Sequence, residues 1–569
     1  MITPRRSNDA PAVVPRESPV PTVSAHVAVT LADHVDHVFG VMGNGNAFFL
    51  DALGRRTSAR FTAVRHEAGA VAAADTFHRA SGRLAAATTT YGAGFTNTLT
   101  ALAEAVQAHV PLVLVVGDEP TSGPRPWDVD QIAMASAVGA RTYTVGRADA
   151  AATTVIAVEH ALTYRVPTVL AIPYDVATLD AGPVPATLAP HLPAPLAPHG
   201  PFAAGMVREV AAALAGARRP LLLAGRGAWV AGAGKVLGAL ADTTGALTAT
   251  TALGRGVFAR PEVDLGVAGG FGAPGAMALV READVALVVG ASLNQFTMRF
   301  GELFAPGTRV LQVDVAPAAT HPHVGGYVRG DAAVVVEAVL DELARAGATP
   351  SAWPEQVDVA SARRHHPGDG VAPDGRLDPR TAAARLAELL PEDRVVVSDG
   401  GHFLGWSNMY WPVASPDRMV TVGTAFQAIG LGLPSVVGAA LARPASTVVL
   451  TTGDGGGLMA LADLESAVRV ARGRGIAVVW NDGAYGAELH RYGRQGLARG
   501  PMLIPDVDFA GLAAALGGEG VVVRTVEDLE ALATWTARPV DERPFLLLDL
   551  RVSGAVVAPF YEEIARLSG

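Results

Sequence analysis

Short apolar runs alternate with alanine-rich stretches of helical period, and this pattern recurs three times along the 569-residue chain. From about residue 24 to 185 the runs are VFGVM, LAAATTT, PLVLVVG and PTVLAIP, with HEAGAVAAADTFHRA among the stretches between them. Apolar runs this short, with glycine, proline or polar residues at their ends, read as buried strands. Strands alternating with helices predict a parallel sheet covered on both faces. Seven prolines between residues 181 and 201 then interrupt the pattern, and residues 186–201 read as a linker. The alternation resumes over 202–346 in RPLLLAGRGA, GALTATTALGRG, ADVALVVGAS and TRVLQVDVAP. A polar stretch over 347–375 separates it from a third segment, 376–556, whose strands include DRVVVSD, STVVLTT, GIAVVW and PFLLLDL. The fold class is therefore α/β, with three doubly wound parallel-sheet domains, a polar, Pro-rich flexible tail over 1–23 and a C-terminal segment over 557–569.

Composition narrows the chemistry. Half the residues are hydrophobic and 17% are charged, which suits large buried cores. The formal charge of −10 gives a nucleic-acid partner no electrostatic support. No apolar run reaches the ~18 residues of a membrane span, and the first residues lack the apolar core of a signal peptide, so a cytoplasmic protein is expected. There is no cysteine, and Lys235 is the single lysine among 44 basic Lys and Arg residues. Thiolate chemistry is excluded, and Lys235, in GAGKVLGALAD, reads as a surface-helix residue rather than a Schiff-base lysine. Work on a carbonyl carbon would then call for a bound cofactor as the electron sink.

The strongest chemical signal is STVVLTTGDGGGLMALADLESAVRVARGRGIAVVWNDGAYG. TVVLTT reads as a strand ending at Gly453, followed by a turn, Gly453-Asp454-Gly455-Gly456-Gly457, with little side-chain bulk. MALADLESAVRVA reads as an amphipathic helix, and GIAVVW as the next parallel strand, ending at Asn481. Asp454 and Asn481 thus stand beyond the carboxyl ends of two strands of one sheet, the edge at which open α/β sheets bind ligands. A carboxylate and an amide oxygen are hard donors suited to Mg²⁺. The glycines allow backbone N–H groups to approach phosphate at a helix start. A dinucleotide site is the rival reading, but GAGFTN and GNGN do not complete the GxGxxG/A fingerprint.

GDG followed by 25 residues and then Asn, here from Gly455 to Asn481, resembles the signature of thiamine diphosphate enzymes. FGVMGNGNAFFLDAL, TTTYGAGFTNTLTALAEAVQAHVPLVLVVG and VGTAFQAIGLGLPSVVGAALARP resemble segments of the acetolactate synthase, benzaldehyde lyase and 2-oxo acid decarboxylase group. The resemblance runs over nearly the whole chain after residue 24, in the order pyrimidine-binding, central and diphosphate-binding domain. It implies thiamine diphosphate and Mg²⁺, with the metal held by Asp454, the Asn481 side chain and the Gly483 carbonyl. Gly453, Gly455, Gly456 and Gly457 would lie along the diphosphate. Glu67, in FTAVRHEAGAVAAADTF, would be the catalytic acid that hydrogen-bonds the cofactor's aminopyrimidine ring. Ile429 would be the wedge that bends the cofactor, and the Gln427 backbone would contact its pyrimidine. The resemblance also implies a homodimer or homotetramer, with Glu67 of one chain meeting Asp454 of another.

Substrate choice is less well marked. Acetolactate synthases commonly have FQE in the loop that here reads GPRPWDVDQIAMA, with Trp127 in place of the glutamine. Candidate substrate contacts are Asn44, Phe95, Trp127, Gln131, His402, Tyr485, Glu488 and His490, the last three on a loop able to close over the site. FAD is an unfavoured second cofactor: GRGAWVAGAG and GASLNQFTMRF occupy the relevant regions, but the RFDDR-like pattern of flavin-binding synthases is absent. The expected activity is a carboligase that decarboxylates a 2-oxo acid such as pyruvate and transfers the acyl-anion equivalent to an acceptor carbonyl. A simple decarboxylase or C–C lyase is the alternative, and a non-catalytic paralogue a minor one.

Overall fold

In a computed structural model the described residues are 21–186 and 189–567. The stretch 1–20, within the expected tail, lies outside them, as do residues 187–188 of the linker and 568–569 of the C-terminal segment. Eighteen strands form three six-stranded sheets. The first contains β1 (His37–Gly40), β2 (Arg60–Ala63), β3 (Ala86–Thr89), β4 (Val113–Asp118), β5 (Arg141–Thr144) and β6 (Thr168–Pro173), in the order β2-β1-β3-β4-β6-β5. The second contains β7 (Pro220–Ala224), β8 (Leu247–Thr250), β9 (Asp264–Val267), β10 (Val285–Val289), β11 (Arg309–Asp314) and β12 (Val324–Arg329), in the order β12-β11-β10-β7-β8-β9. The third contains β13 (Arg394–Ser398), β14 (Met419–Thr421), β15 (Thr447–Gly453), β16 (Gly475–Asn481), β17 (Glu519–Val523) and β18 (Leu546–Arg551), in the order β14-β13-β15-β16-β18-β17. Every strand pairing within the sheets is parallel.

The first and third sheets follow the same path, and the second has the order of a dinucleotide-type doubly wound sheet. In sheets one and three the order reverses beside the first strand, between β1 and β3 and between β13 and β15. Such a switch point opens a crevice at the carboxyl edge. The residues that follow β3, β13 and β15 are therefore where a ligand is expected in each of these domains.

One core joins the first and third domains. The helix Glu67–Ser81 lays Ala70, Ala73, Ala74 and Phe77 against Val436, Val437 and Ala439 of the helix Gly432–Ala442. Small residues let the helix backbones come close: a Cβ on Gly438 would lie 2.0 Å from the Ala73 carbonyl oxygen. The expected helix MALADLESAVRVA is broken. It opens with Asp454–Met459, passes through a tight turn at Leu461–Asp463 and resumes as Leu464–Val470. The break follows from Asp463, which is buried and accepts from the Arg65 N–H (2.7 Å) and the Ser466 hydroxyl (2.8 Å). The glycines expected in a turn before the helix form its first turn instead.

The two glycine-rich turns in the FAD-related regions close on each other. A Cβ on Gly225 would lie 2.2 Å from the Gly290 oxygen, and one on Gly290 2.3 Å from the Ala228 nitrogen. Lys235 is exposed on the helix Gly234–Thr244. Among the described residues no helix is long and apolar enough to cross a membrane.

Candidate active site

The third sheet carries a pocket at its switch point. It is walled by Gly400, Gly401 and His402 after β13, by Gly453, Asp454, Gly455 and Gly456 after β15, and by Asp482, Tyr485 and Glu488 after β16. Ile429 also lines it, from the loop before the helix Gly432–Ala442.

Asp454 is the first residue of its helix and is 2% exposed. One carboxylate oxygen accepts from the Gly455 N–H and the other from the Gly483 N–H, both at 2.9 Å. Burial pushes this carboxyl up to about 6. Asn481 ends β16 and donates its amide to Asp549 Oδ1 at 2.9 Å. The carboxylate partner fixes which way the amide turns, and Oδ1 of Asn481 has no hydrogen-bond partner among the described residues. Gly483 has a φ of +76°, which suits glycine, and its carbonyl accepts from the Ile504 N–H at 2.8 Å, leaving one lone pair. Burial also pushes Asp549 up to about 6, and burial together with the Asp454 charge pushes Asp482 up to about 7.

Two buried carboxylates, Asp454 and Asp549, and the partly buried Asp482 thus crowd a region with an unused amide oxygen. A divalent cation relieves this kind of desolvated negative charge. Among the described residues no group of three His, Cys, Asp or Glu side chains is disposed to hold a metal; the donors Asp454, Asn481 and the Gly483 carbonyl contain one such side chain. Their hard oxygen chemistry fits Mg²⁺. The helix cap, Gly453, offers no side-chain oxygen to the first-turn N–H groups, which suits a phosphate ligand.

The loop that carries Ile429 is held from two sides. Asp399, which is fully buried, accepts from the N–H groups of Gly400 (2.8 Å) and Gly430 (3.1 Å) and from the Thr452 hydroxyl (3.2 Å). Glu104, from the first domain, accepts from the Phe426 N–H at 2.7 Å. Arg79 donates to Asp75 (3.0 Å), to Glu104 (3.3 Å) and to the Thr421 carbonyl (2.8 Å). Gln427 between these anchors takes a left-handed conformation, φ +60°, and its side chain turns back to the Thr424 carbonyl at 2.8 Å. A non-glycine residue persists there only when its surroundings impose it.

The sequence-derived candidates separate into two groups. Asp454, Ile429, His402, Tyr485, Glu488, Gly453, Gly455 and Gly456 meet at the pocket, whereas Gly457, Asn481 and Gly483 are not among its lining residues. Glu67, half-buried at the start of its helix, lies in the first domain, with Oε2 accepting from Asn97 at 3.0 Å. Among the described residues none from the first domain lines the pocket. Asn44 donates to the Tyr91 hydroxyl at 2.8 Å, and Trp127 is 62% exposed.

Several candidates are occupied by packing. Phe95 is fully buried in the core. Gln131 accepts from the Gly92 N–H (2.8 Å) and donates to the Gly117 carbonyl and Asp118 (both 3.0 Å), so its amide pins the β3 turn to the end of β4. His402 Nε2 accepts from the Ala558 N–H at 2.9 Å, and burial pushes its ring down to about 3, so it is neutral. His490 lies behind His402, with ring centroids 4.6 Å apart, and does not line the pocket. Sequence reasoning missed Asn97, Glu104, Asp399, Asp482 and Asp549. A signal existed for two of them: Asp399 ends DRVVVSD and Asp482 follows Asn481, each at the end of a predicted strand.

Comparison with known proteins matches three parts of the chain. Residues 21–134 match the N-terminal TPP-binding domain of thiamine pyrophosphate enzymes, 207–340 their central domain and 399–547 their C-terminal TPP-binding domain. The acetolactate synthase of Mycobacterium avium is 28% identical over 550 residues, covering 92% of this chain and 86% of that one. The acetolactate synthase isozyme 3 large subunit of Escherichia coli is 26% identical, covering 92% and 93%. The sulfoacetaldehyde acetyltransferase of Rhodobacter capsulatus is 29% identical, covering 90% and 91%.

Proposed function

Because this chain belongs to the thiamine pyrophosphate enzymes, matching all three of their domains, we propose that it is a Mg²⁺-dependent carboligase that takes its donor carbon from a 2-oxo acid and passes it to an acceptor carbonyl. Thiamine diphosphate, when bound, supplies an electron sink that lets a carbon–carbon bond beside a carbonyl break and a new one form. The rest falls to the protein. Asp454, the Asn481 amide oxygen and the Gly483 carbonyl would hold the metal, and the glycine-capped helix start would receive the diphosphate. Ile429 would pack against the cofactor, on a loop fixed by Asp399 and Glu104. Glu67 holds and moves a proton at the aminopyrimidine ring, with Asn97 orienting its carboxylate. Neutral His402, Tyr485 and Glu488 wall the space left for substrate.

The observation that carries this reading is the placement of Asp454, buried and bonded by two backbone N–H groups at the switch point of the third sheet. The acceptor-transferring outcome is favoured because relatives covering nearly the whole chain are synthases and acetyltransferases by name. Glu67 lies outside the pocket's lining in its own chain, and this supports a site completed by a second copy.

Product analysis tests the reading. The purified protein with thiamine diphosphate and Mg²⁺ is given pyruvate, alone and with an added aldehyde, and products are identified by NMR. A carbon–carbon-linked product that depends on the acceptor is expected. Acetaldehyde and CO₂ alone would make it a decarboxylase, and no cofactor-dependent turnover of any 2-oxo acid would leave a non-catalytic paralogue.

A further inference from the structure

A second cavity lies behind the pocket wall. After Glu488 the chain enters a π-helical stretch, Leu489–Gly493. Such stretches are rare and often mark functional sites. Between this stretch and the C-terminal helix Pro559–Leu567 is a cavity of about 330 Å³. Its polar lining is His490, Arg491, Arg494, Gln495, Glu562 and Arg566. It shares no lining residue with the cofactor pocket, from which the His402–His490 pair separates it.

The charges in this cavity do not balance. Three arginines face a single carboxylate, Glu562, whose two oxygens are taken by Arg494 at 2.9 and 3.0 Å. Arg566 pairs outward with Glu302 of the central domain at 2.9 Å. Arg491 has no carboxylate partner among the described residues; its guanidinium carbon lies 5.3 Å from the Tyr492 ring centroid, and its Nε is buried without a hydrogen bond. His490 is 7% exposed, and its buried Nε2 is also unpartnered. Natural structures rarely leave buried polar groups unsatisfied, and each one calls for an explanation such as an unseen ion. Planar guanidinium groups match the geometry of phosphate, sulfonate and carboxylate oxygens.

We infer that this cavity binds a small oxyanion, a phosphate, sulfonate or carboxylate group, through Arg491, Arg494, Arg566 and His490. The site joins the loop that carries Tyr485 and Glu488 to the C-terminal helix. That helix already reaches the loop through the Tyr561 hydroxyl, which donates to the Ala487 carbonyl. A bound anion clamps the two together. It is either a free ion or the charged group of a substrate.

Calorimetric titration of the full chain with inorganic phosphate and with sulfate tests this, at ionic strength held constant with chloride. The protein is first saturated with thiamine diphosphate and Mg²⁺, so that the diphosphate site is closed to the probe. One saturable site per chain is expected, weakened tenfold or more in both Arg491→Gln and Arg566→Gln with thiamine diphosphate affinity unchanged. Arg491→Gln strands no carboxylate, so its melting temperature without anion should match the wild type. Absence of saturable binding, or wild-type affinity in both variants, would overturn the proposal. Displacement of bound phosphate by pyruvate would assign the site to a substrate's own charged group, and retention to a free oxyanion. The readout is binding alone, so it stands apart from whether the protein turns over a 2-oxo acid.

Discussion

Asp454 spends both carboxylate oxygens on backbone N–H groups, and these bonds fix the carboxylate at the proposed metal site. Asp454→Ala removes the charge that balances the metal, so Mg²⁺-dependent thiamine diphosphate binding should fall by more than about 100-fold. Calorimetry checks this, and wild-type affinity would remove the metal assignment. Glu67→Gln keeps the shape and the Asn97 contact but cannot relay a proton. Turnover should fall ~10²–10⁴-fold while thermal stability stays close to wild type, and a change in stability with full turnover would make Glu67 a structural residue. At this scale the sequence was informative where spacing fixes a residue to a strand end, as for Asp454 and Asn481. It was silent where burial decides. Nothing local distinguishes Gln131, with its amide spent on Gly92, Gly117 and Asp118, from a glutamine that greets a substrate. Asp549, which turns the Asn481 amide, lies in a different strand, so its role depends on tertiary contact.

The elements show a regular division between what the pattern reveals and what it hides. In each sheet the four inner strands coincide with apolar runs visible in the sequence, and the two edge strands do not. β2 (RFTA) and β5 (RTYT) are half-exposed and β17 (EGVVV) is largely so. A strand with one free edge carries polar residues and loses the continuous apolar signal of a strand buried on both faces. Helix boundaries failed where a side chain intervened, as Asp463 does in the motif helix. Packing between helices gives a direct test. At Gly438 even a methyl group would strike the Ala73 carbonyl, so Gly438→Ala should lower unfolding stability by ~1–3 kcal/mol. Denaturant unfolding measures this, and an unchanged midpoint would mean that the two helices part more readily than the contact implies.

The contact between β13 and the C-terminal segment is pH-sensitive by the same logic. His402 must stay neutral to accept from the Ala558 N–H, and its pKa is lowered from 6.5 to about 3. Between these values the unfolded chain binds the proton and the folded chain does not. Stability contributed by this group is therefore complete above pH 6.5 and declines as pH falls toward 3, at up to about 1.4 kcal/mol per pH unit. His402→Gln should show a shallower loss of stability between pH 6.5 and 4.5 in urea melts, and an identical slope would mean that His402 does not set this pH dependence.

Across the whole molecule, the first and third sheets have the same strand order and the central sheet a different one. The three-part organisation was legible because the Pro-rich stretch and the polar stretch break the alternation. The union of the first and third domains was not, because it rests on alanines and a glycine that read as ordinary helix positions. Their union also includes the buried Asp75–Arg79–Glu104 network, which reaches from the first domain to the Ile429 loop of the third. Within one chain, Glu67 nevertheless does not line the Asp454 pocket. In the proposed enzyme two chains bring these halves together around one thiamine diphosphate. A mixture of Glu67→Gln and Asp454→Ala chains, allowed to exchange subunits, tests it most directly. The readout is exchange of the bound cofactor's thiazolium C2 hydrogen with deuterated water, which requires no knowledge of the substrate. Each variant alone should exchange slowly. The equimolar mixture should recover about a quarter of the wild-type sites, since half of randomly paired dimers are hybrids with one intact site. Slow exchange in the mixture, with hybrid dimers demonstrated by mass spectrometry, would contradict a site shared between chains.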